Sequence, residues 1–342
     1  MYSKHYKLYL YLTYICICIG LIILLNYFGA FTHLFEITYD SNFVYPYEGD
    51  VHEFVNALRH NRKPTVEPIN EYKYTFLIDN EQKCVDPAYN MFRVVYIVKS
   101  AIENFERRLA IRNSWGYEKR FFDVPSRTVF MLGVHPYDDE LQTNVRIEAA
   151  KYKDIIQADF IDSYYNNTIK TMMAFKWLVK YCSNSKFYMF VDDDIYVSVK
   201  NVLRFIRNPT NYPDYLKELF AGFVFVSSPH RHKSSKWYIS LNEYPYHLWP
   251  PYVTAGAYIL SREALLDMYY TSLYTKYFKF DDIFLGLVAK KADIEPFHCE
   301  EFHFYKKDYT KFNYKYVISS HGYGNPNELL NVWNEQKSNY NK

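Results

Sequence analysis

Lys186-Phe-Tyr-Met-Phe-Val-Asp192-Asp193-Asp194-Ile-Tyr-Val197 drives an apolar, strand-like run straight into three consecutive carboxylates. Alternate side chains of an extended strand share a face, so the spacing sets Asp192 and Asp194 on one side, roughly 6–7 Å apart. At an effective dielectric of about 20 such a pair repels by roughly 2–3 kcal/mol, and a fold carries that cost readily only where a cation relieves it. A hard divalent ion with oxygen ligands is the natural relief. The bland alternative is a solvated acidic turn leading into the helix expected from Ser198. Position favours the ion, because open α/β sheets bind ligands at the carboxyl ends of their strands.

Upstream of this run, strand and helix patterns alternate. Residues 93–98, 128–132 and 154–157 read as strands, and 104–115, 140–152 and 168–182 as helices, the last with Met172, Phe175, Leu178, Val179 and Cys182 at helical spacing. Strands alternating with helices predict an α/β fold, a Rossmann-like, mostly parallel sheet with helices on both faces. The second half is more mixed, with strands expected over 220–226, 258–260 and 315–319 and helices over 262–270 and 282–292.

The chain has 342 residues, 49% hydrophobic and 23% charged, which suits a globular protein of one large or two small domains. A formal charge of +2 and a pI near 8.0 recommend no nucleic-acid partner. Only 10 glycines occur, and neither GxGxxG nor GxxxxGK[ST] is among the patterns they form, so no dinucleotide fingerprint or P-loop is available.

Leu8 to Phe28 is an apolar stretch, and no Asp, Glu, Lys or Arg lies between Lys7 and Glu36. As a helix it is long enough to span a bilayer, and longer than the apolar region of a cleaved signal peptide. Lys4 and Lys7 precede it while acidic residues follow, so the positive-inside rule leaves the short N-terminus cytosolic and the remainder lumenal or outside. The expected organisation is a cytoplasmic tail over 1–7, a signal anchor over 8–29, an irregular stem over 30–90 and a lumenal domain over 91–335. Asn166-Asn167-Thr168 is a glycosylation sequon that agrees with such a compartment. Cys84, Cys182 and Cys299 beyond the anchor permit one disulfide and one free thiol, with the pairing open.

Three further features carry potential chemistry. Phe280-Asp281-Asp282-Ile-Phe-Leu-Gly286 sets a second acidic pair at the expected start of a helix, where it reads either as an N-cap or as a general base. His321, in Ser319-Ser-His-Gly-Tyr-Gly324, follows a strand and stands among glycines, a suitable setting for a metal ligand. Trp237, Tyr238 and Trp249 lie in an aromatic and proline-rich stretch that is either packing or a wall for stacking sugar rings. His298 and His303 lack the companions that a zinc site needs.

Taken in order, these segments resemble the β-1,3-glycosyltransferases of the type II Golgi membrane class, the galactosyl- and N-acetylglucosaminyltransferase group with a GT-A fold. The resemblance runs from about Phe92 to Trp333 through Asn104-Phe-Glu-Arg-Arg-Leu-Ala-Ile-Arg112-Asn-Ser-Trp-Gly116, Phe130-Met-Leu-Gly133, Asp154-Ile-Ile-Gln157, Asp159-Phe-Ile-Asp-Ser-Tyr164, Asn166-Asn-Thr-Ile-Lys-Thr171, Asp192-Asp-Asp194, Lys236-Trp-Tyr-Ile-Ser240, Pro250-Pro-Tyr252 and Asp281-Asp-Ile-Phe-Leu-Gly286. The Trp249-Pro-Pro-Tyr-Val-Thr-Ala-Gly-Ala-Tyr258 run and His321-Gly-Tyr-Gly-Asn-Pro326 look most like the Brainiac-type enzymes, which transfer N-acetylglucosamine to a mannosyl glycolipid.

The resemblance implies a UDP-GlcNAc or UDP-Gal donor, a glycan acceptor on glycolipid or glycoprotein, and a Golgi location. It implies Mn²⁺ or Mg²⁺ held by Asp194 with Asp192 and His321. Asp193, Asp192, Arg108 and Arg112 would lie on the nucleotide side, Trp237, Tyr238 and Trp249 on the acceptor side. Asp282, with Asp281 as the second choice, would take the proton of the acceptor 3-hydroxyl in an inverting displacement. The group's usual Glu before the base is Asp281 here, and its usual Leu after the sequon asparagine is Asn167. Two rival functions share these residues: a catalytically silent glycan-binding scaffold on the same fold, and a metal-dependent hydrolase that activates water.

Overall fold

A computed structural model describes residues 2–44, 49–121, 123–207 and 218–338. The chain divides into two units, Met1–Val44 with Val226–Pro250, and Tyr45–Phe225 with Pro251–Lys342.

The smaller unit begins with helix α1, Tyr2–Tyr27. Its 23-residue stretch His5–Tyr27 has a mean hydropathy of 2.5 and is long and apolar enough to cross a membrane. A 3₁₀ turn, Thr32–Phe35, follows it. The unit's own core gathers Ile239, Tyr244, Tyr246 and Trp249, all buried.

In the larger unit the elements run α2 His52–Arg59, β1 Phe76–Ile78, β2 Phe92–Lys99, α3 Phe105–Arg112, β3 Ser126–Val134, α4 Asp139–Tyr152, β4 Ile155–Ile161, α5 Asn167–Tyr181 and β5 Ser185–Asp192. They continue with β6 Tyr196–Val197, α6 Val199–Arg207, β7 Phe220–Phe225, β8 Tyr252–Ser261, α7 Arg262–Ser272, α8 Asp281–Lys291, β9 Phe297–His298, β10 Phe302–His303, β11 Ser319–Ser320 and α9 Pro326–Ser338. The main sheet has the order β1-β4-β3-β2-β5-β8-β7-β9.

The α/β class read from the sequence is what forms. Neighbours β4, β3, β2 and β5 are parallel. Strand β8 then enters antiparallel to β5 and β7, and β1 antiparallel to β4, so the sheet is mixed beyond its parallel centre. Both faces of that centre are covered, which the near-continuous apolar runs require. Val94, Tyr96, Val98, Met189 and Val191 pack with Ala110, Ile111 and Trp115 in one cluster. Phe190, of opposite parity to Met189 and Val191, stacks on Phe175 of α5 at 4.8 Å and on Tyr258 at 5.0 Å.

The expected stem is a different matter. Within residues 30–90 the chain forms α2, whose Arg59 bonds both Glu263 and Asp267 of α7, and β1, which lengthens the sheet. Cys84 and Cys182 form a disulfide with Cα atoms 5.2 Å apart. The folded unit therefore reaches well upstream of residue 91. Prolines and short elements hide it, because a three-residue strand and a two-turn helix carry little sustained period.

Candidate active site

The second apolar strand, β2, runs parallel to β5 and in register with it, so Lys99 at its end lies opposite Asp192. That pairing places an ammonium against the first carboxylate of the triplet. Lys99 Nζ sits 3.0 Å from Asp192 Oδ1 and 2.8 Å from Asp281 Oδ2, with the lysine side chain only 4% exposed. Thr171 Oγ1 donates to the same Asp281 oxygen at 3.0 Å. Burial opposes ionisation of Asp281, but Lys99 and Thr171 outweigh it and hold the carboxyl below its ordinary range. Asp192 remains about a third exposed, at 35%; burial pushes its carboxyl up to about 6 against the pull of Lys99.

The other two carboxylates have partners of their own. Asp193 accepts from Ser100 Oγ at 2.7 Å, Asn104 Nδ2 at 2.9 Å and Arg107 Nη1 at 2.9 Å. Arg107 also donates to the carbonyl of Gly324 at 3.1 Å, which ties the loop after β11 to the triplet. Asp194 lies beyond the strand end, in the turn before β6, and its Oδ2 is 3.1 Å from His321 Nε2. The Tyr323 amide donates to the Asp194 carbonyl at 2.7 Å. Hydrogen bonding to Asp194 raises the His321 pKa, while the Asp194 carboxyl, despite burial, is held low by His321 and Arg107.

The alternation argument thus applies to Asp192 alone, since the strand stops there. The cationic relief expected from a metal comes to Asp192 from Lys99 and to Asp193 from Arg107. Among the described residues no group of three His, Cys, Asp or Glu side chains converges to hold an ion unaided. Asp194 and His321 remain as a donor pair of one carboxylate and one imidazole. Their 3.1 Å separation is that of a hydrogen bond, and both are donor types that would hold a hard divalent ion. A pair of this kind fits an ion that takes its other ligands from phosphate oxygens and water, the usual state of Mg²⁺-like ions at nucleotide sites.

A cleft of about 310 Å³ opens at the carboxyl ends of β2 to β5. Lys99, Asp192, Asp193, Asp194, Asn167 and Lys170 line it along with the loop after β4. Lys170, the fourth residue of α5, is buried and bonds Asp162 Oδ1 and the Ser100 carbonyl, each at 2.7 Å. A larger cavity of about 780 Å³, lined by Arg59, Glu218 and Arg262, shares no residue with this cleft. Size does not make it the site, because it holds none of the acidic motifs.

At the start of α8 the N-cap position is Phe280, with no side-chain cap. Neither aspartate caps the helix. Asp282, partly buried, accepts the Ile283 amide at 2.8 Å. Burial and the neighbouring Asp281 charge push its carboxyl up to about 7. The pair is therefore split: Asp281 is tied down and ionised, Asp282 is poised near neutrality.

Arg108 and Arg112 are not brought to this cleft. Arg108, 1% exposed, forks onto Glu148 at 2.7 and 2.9 Å and donates to the Ala101 and Ile102 carbonyls. Arg112 grips Asp154 through two bonds of 2.8 Å, with its guanidinium over the Tyr152 ring at 4.0 Å. Both hold α3 to α4 and the start of β4, the structural pairing that early-helix charges usually make. The basic residues that do reach the triplet are Lys99 and Arg107; strand register is the one sequence signal for Lys99, and the reach of Arg107 from α3 has none.

Trp237, Tyr238 and Trp249 belong to the smaller unit. Trp249 is buried and stacks on Tyr244 at 4.0 Å, so it packs rather than forming a wall. Trp237 is exposed. Asn166 stands at the N-terminus of α5, donating to the Ile161 carbonyl at 2.7 Å.

A carboxylate-lined cleft thus opens at the ends of the parallel strands of a mixed α/β sheet, and Lys99 ties Asp281 of the second acidic pair to Asp192 at its edge. The galactosyltransferase family model matches residues 106–300, and the chain belongs to that family, within its β-1,3-glycosyltransferases. It is 43% identical to the β-1,3-galactosyltransferase brn of Drosophila melanogaster over 99% of both chains. It is 34% identical to human β-1,3-galactosyltransferase 1, covering 79% of this chain and 81% of that one. Identity to lactosylceramide 1,3-N-acetyl-β-D-glucosaminyltransferase B of Danio rerio is 33%, over 86% of this chain and 75% of that one. Among solved structures, the apo bifunctional glycosyltransferase WbbM gives a TM-score of 0.40 at 13% identity, over 75% of this chain and 53% of that chain.

Proposed function

We propose that this glycosyltransferase moves N-acetylglucosamine or galactose from a UDP-sugar to the 3-hydroxyl of a glycan carried on glycolipid or glycoprotein, inverting the anomeric centre. The supporting observation is the unequal bonding of the acidic pair, with Asp281 held by Lys99 and Thr171 and Asp282 on the Ile283 amide. Asp282, with its carboxyl pushed up to about 7, has the proton affinity a general base needs near neutral pH. Asp281 is the lesser candidate, because Lys99 and Thr171 occupy it.

Asp282 takes the hydroxyl proton as the acceptor oxygen bonds to the anomeric carbon; the bond from that carbon to the diphosphate breaks, and UDP departs. Lys99 holds Asp281 and Asp192 together, keeping the base helix against the cleft. Asp194 and His321 would hold Mn²⁺ or Mg²⁺, which when bound offsets the charge of the diphosphate. Arg107 fixes Asp193 and the Gly324 loop, and through that loop the position of His321.

The compartment reading agrees with the chemistry. We read α1 as an uncleaved signal anchor of a single-pass type II protein of the Golgi membrane, with the enzyme lumenal, where the Cys84–Cys182 disulfide is stable.

UDP release by the purified chain, with each UDP-sugar and a glycan array as acceptors, tests the proposal. Acceptor-dependent UDP formation that rises with Mn²⁺ supports it. Sugar release to water without acceptor would favour the hydrolase reading, and no release with any donor would favour a silent glycan-binding scaffold.

A further inference from the structure

Directly after α1 the chain folds back instead of trailing off. The Tyr27 carbonyl accepts the Lys233 amide at 3.1 Å, so the last residue of the apolar helix is bonded to the 226–250 segment. Gly29 has φ +81, and a Cβ there would lie 2.6 Å from the Arg231 carbonyl oxygen. Only glycine tolerates both conditions. Gly29 is thus demanded by close backbone approach.

Arg231 then locks the piece. It is 3% exposed, and it bonds Glu36 Oε1 at 2.7 Å, the Ile239 carbonyl at 3.0 Å, and the Tyr244 and Tyr246 carbonyls at 2.9 Å each. Burial works against ionisation of Glu36, but Arg231 and His33 outweigh it and keep the carboxylate charged. Around this pair, the Ile37 amide bonds the Pro245 carbonyl at 2.9 Å, the His247 amide bonds Ile37 at 3.1 Å, and the Val44 amide bonds the Tyr246 hydroxyl at 2.8 Å. Residues 29–44 and 229–247 are one folded body, fastened to the end of α1.

Its surface is unusual for a body in water. Phe28 is 56% exposed, Leu34 76%, Phe35 72% and Trp237 45%. Lys236 lies over the Trp237 ring at 4.5 Å, and Lys233, beside it, is exposed. Apolar and aromatic side chains interleaved with lysines at the end of a spanning helix match the headgroup zone of a bilayer, where rings sit at the boundary and ammonium groups reach phosphate.

We propose that this body is seated in the interfacial layer of the phospholipid bilayer that α1 crosses, with Phe28, Leu34, Phe35 and Trp237 in the acyl–headgroup boundary and Lys233 and Lys236 among the phosphates. It rests on the reading of α1 as a retained anchor.

The test uses the full-length chain in phosphatidylcholine nanodiscs, with and without bromine on the acyl chains, and reads tryptophan emission. Trp115, Trp177, Trp249 and Trp333 are all buried, so subtracting a Trp237→Phe variant isolates Trp237. Brominated lipid should quench the isolated signal, as expected of an indole seated at the acyl–headgroup boundary. A Phe35→Trp change in the Trp237→Phe background is a second reporter and should be quenched likewise. Unchanged emission from both reporters in a chain that is incorporated in the discs overturns the proposal while leaving the anchor intact. Extraction of the chain from membranes by alkaline carbonate would instead overturn the anchor reading, and this proposal with it.

Discussion

Replacing Lys99 by methionine tests the electrostatic centre of the site. The side chain is 4% exposed and its ammonium lies within 3.0 Å of one carboxylate and 2.8 Å of another. Methionine keeps much of the apolar stem and removes the charge. Breaking a buried pair by deleting one partner costs about 3–5 kcal/mol, because the other charge is left without compensation. For a unit of this size that is a fall in Tm on the order of 10 °C.

The pH dependence sharpens the test. Asp281 is held below its ordinary range in the native protein, so its contribution to stability is present above its unfolded pKa and is lost as pH falls through the lower folded value. Without Lys99, burial is opposed only by the Thr171 hydroxyl and backbone bonding, and the Asp281 pKa moves up from its lowered native position. The variant is then destabilised wherever the unfolded carboxyl is ionised, and regains ground as acid protonates the native one. Near-UV circular dichroism melts of wild type and Lys99→Met should differ most at pH 7–8, with the gap narrowing as pH falls toward roughly 4 and closing only below it, where the wild-type Asp281 is protonated as well. A Tm gap that stays constant from pH 5 to 8 would refute the reasoning, and so would the absence of any gap.

Other expectations follow from the same geometry. Asp282→Asn should lower kcat by about 10²–10⁴, the usual worth of a general base, with the donor KM little changed; full activity in steady-state UDP release would remove Asp282 from the role. Because the Asp282 carboxyl is pushed up to about 7 and a base must be ionised, kcat/KM should rise as pH passes 7. In Asp281→Asn, which deletes the neighbouring negative charge, that limb should move to lower pH; a fixed limb in the pH–rate profile would sever the coupling. Asp194→Ala should abolish the Mn²⁺-dependent part of turnover in a metal titration, whereas an unaltered Mn²⁺ response would exclude Asp194 as a ligand. Opening the disulfide with Cys84→Ser should cost about 4–5 kcal/mol for a loop near 100 residues, and guanidinium unfolding with an unchanged midpoint would contradict it.

Much of the larger unit was legible because its core strands are long and apolar. Residues 93–98 and 128–132 lie inside β2 and β3, and the helix expected from 168 matches α5 within a residue. Periodicity read these well since both sides of the parallel centre are buried. Residues 30–90 are illegible for the opposite reason: β1 has only three residues, and β1 and α2 are held by partners some 80 to 200 residues away, such as Asp159 for Thr75 and Glu263 for Arg59. The disulfide pairing was likewise a question of distance in space.

At the site, residue type alone marked Asp192, Asp193, Asp194, Asp281, Asp282 and His321 as chemically significant. It could not rank them. Which aspartate is neutralised and which is poised depends on where Lys99 and Arg107 end up, and that follows from strand register and from the turn after β5. The sequence by itself determined the presence of an apolar helix, an α/β core and two acidic motifs, because hydrophobic pattern and clustered charge are local properties. Only the tertiary structure decided that Arg108 and Arg112 are struts, that Lys99 joins the two acidic motifs, and that the segment after α1 is a folded body. Those outcomes rest on the pairing of charges remote in sequence, and an ion pair exists only once the chain has brought its members within reach.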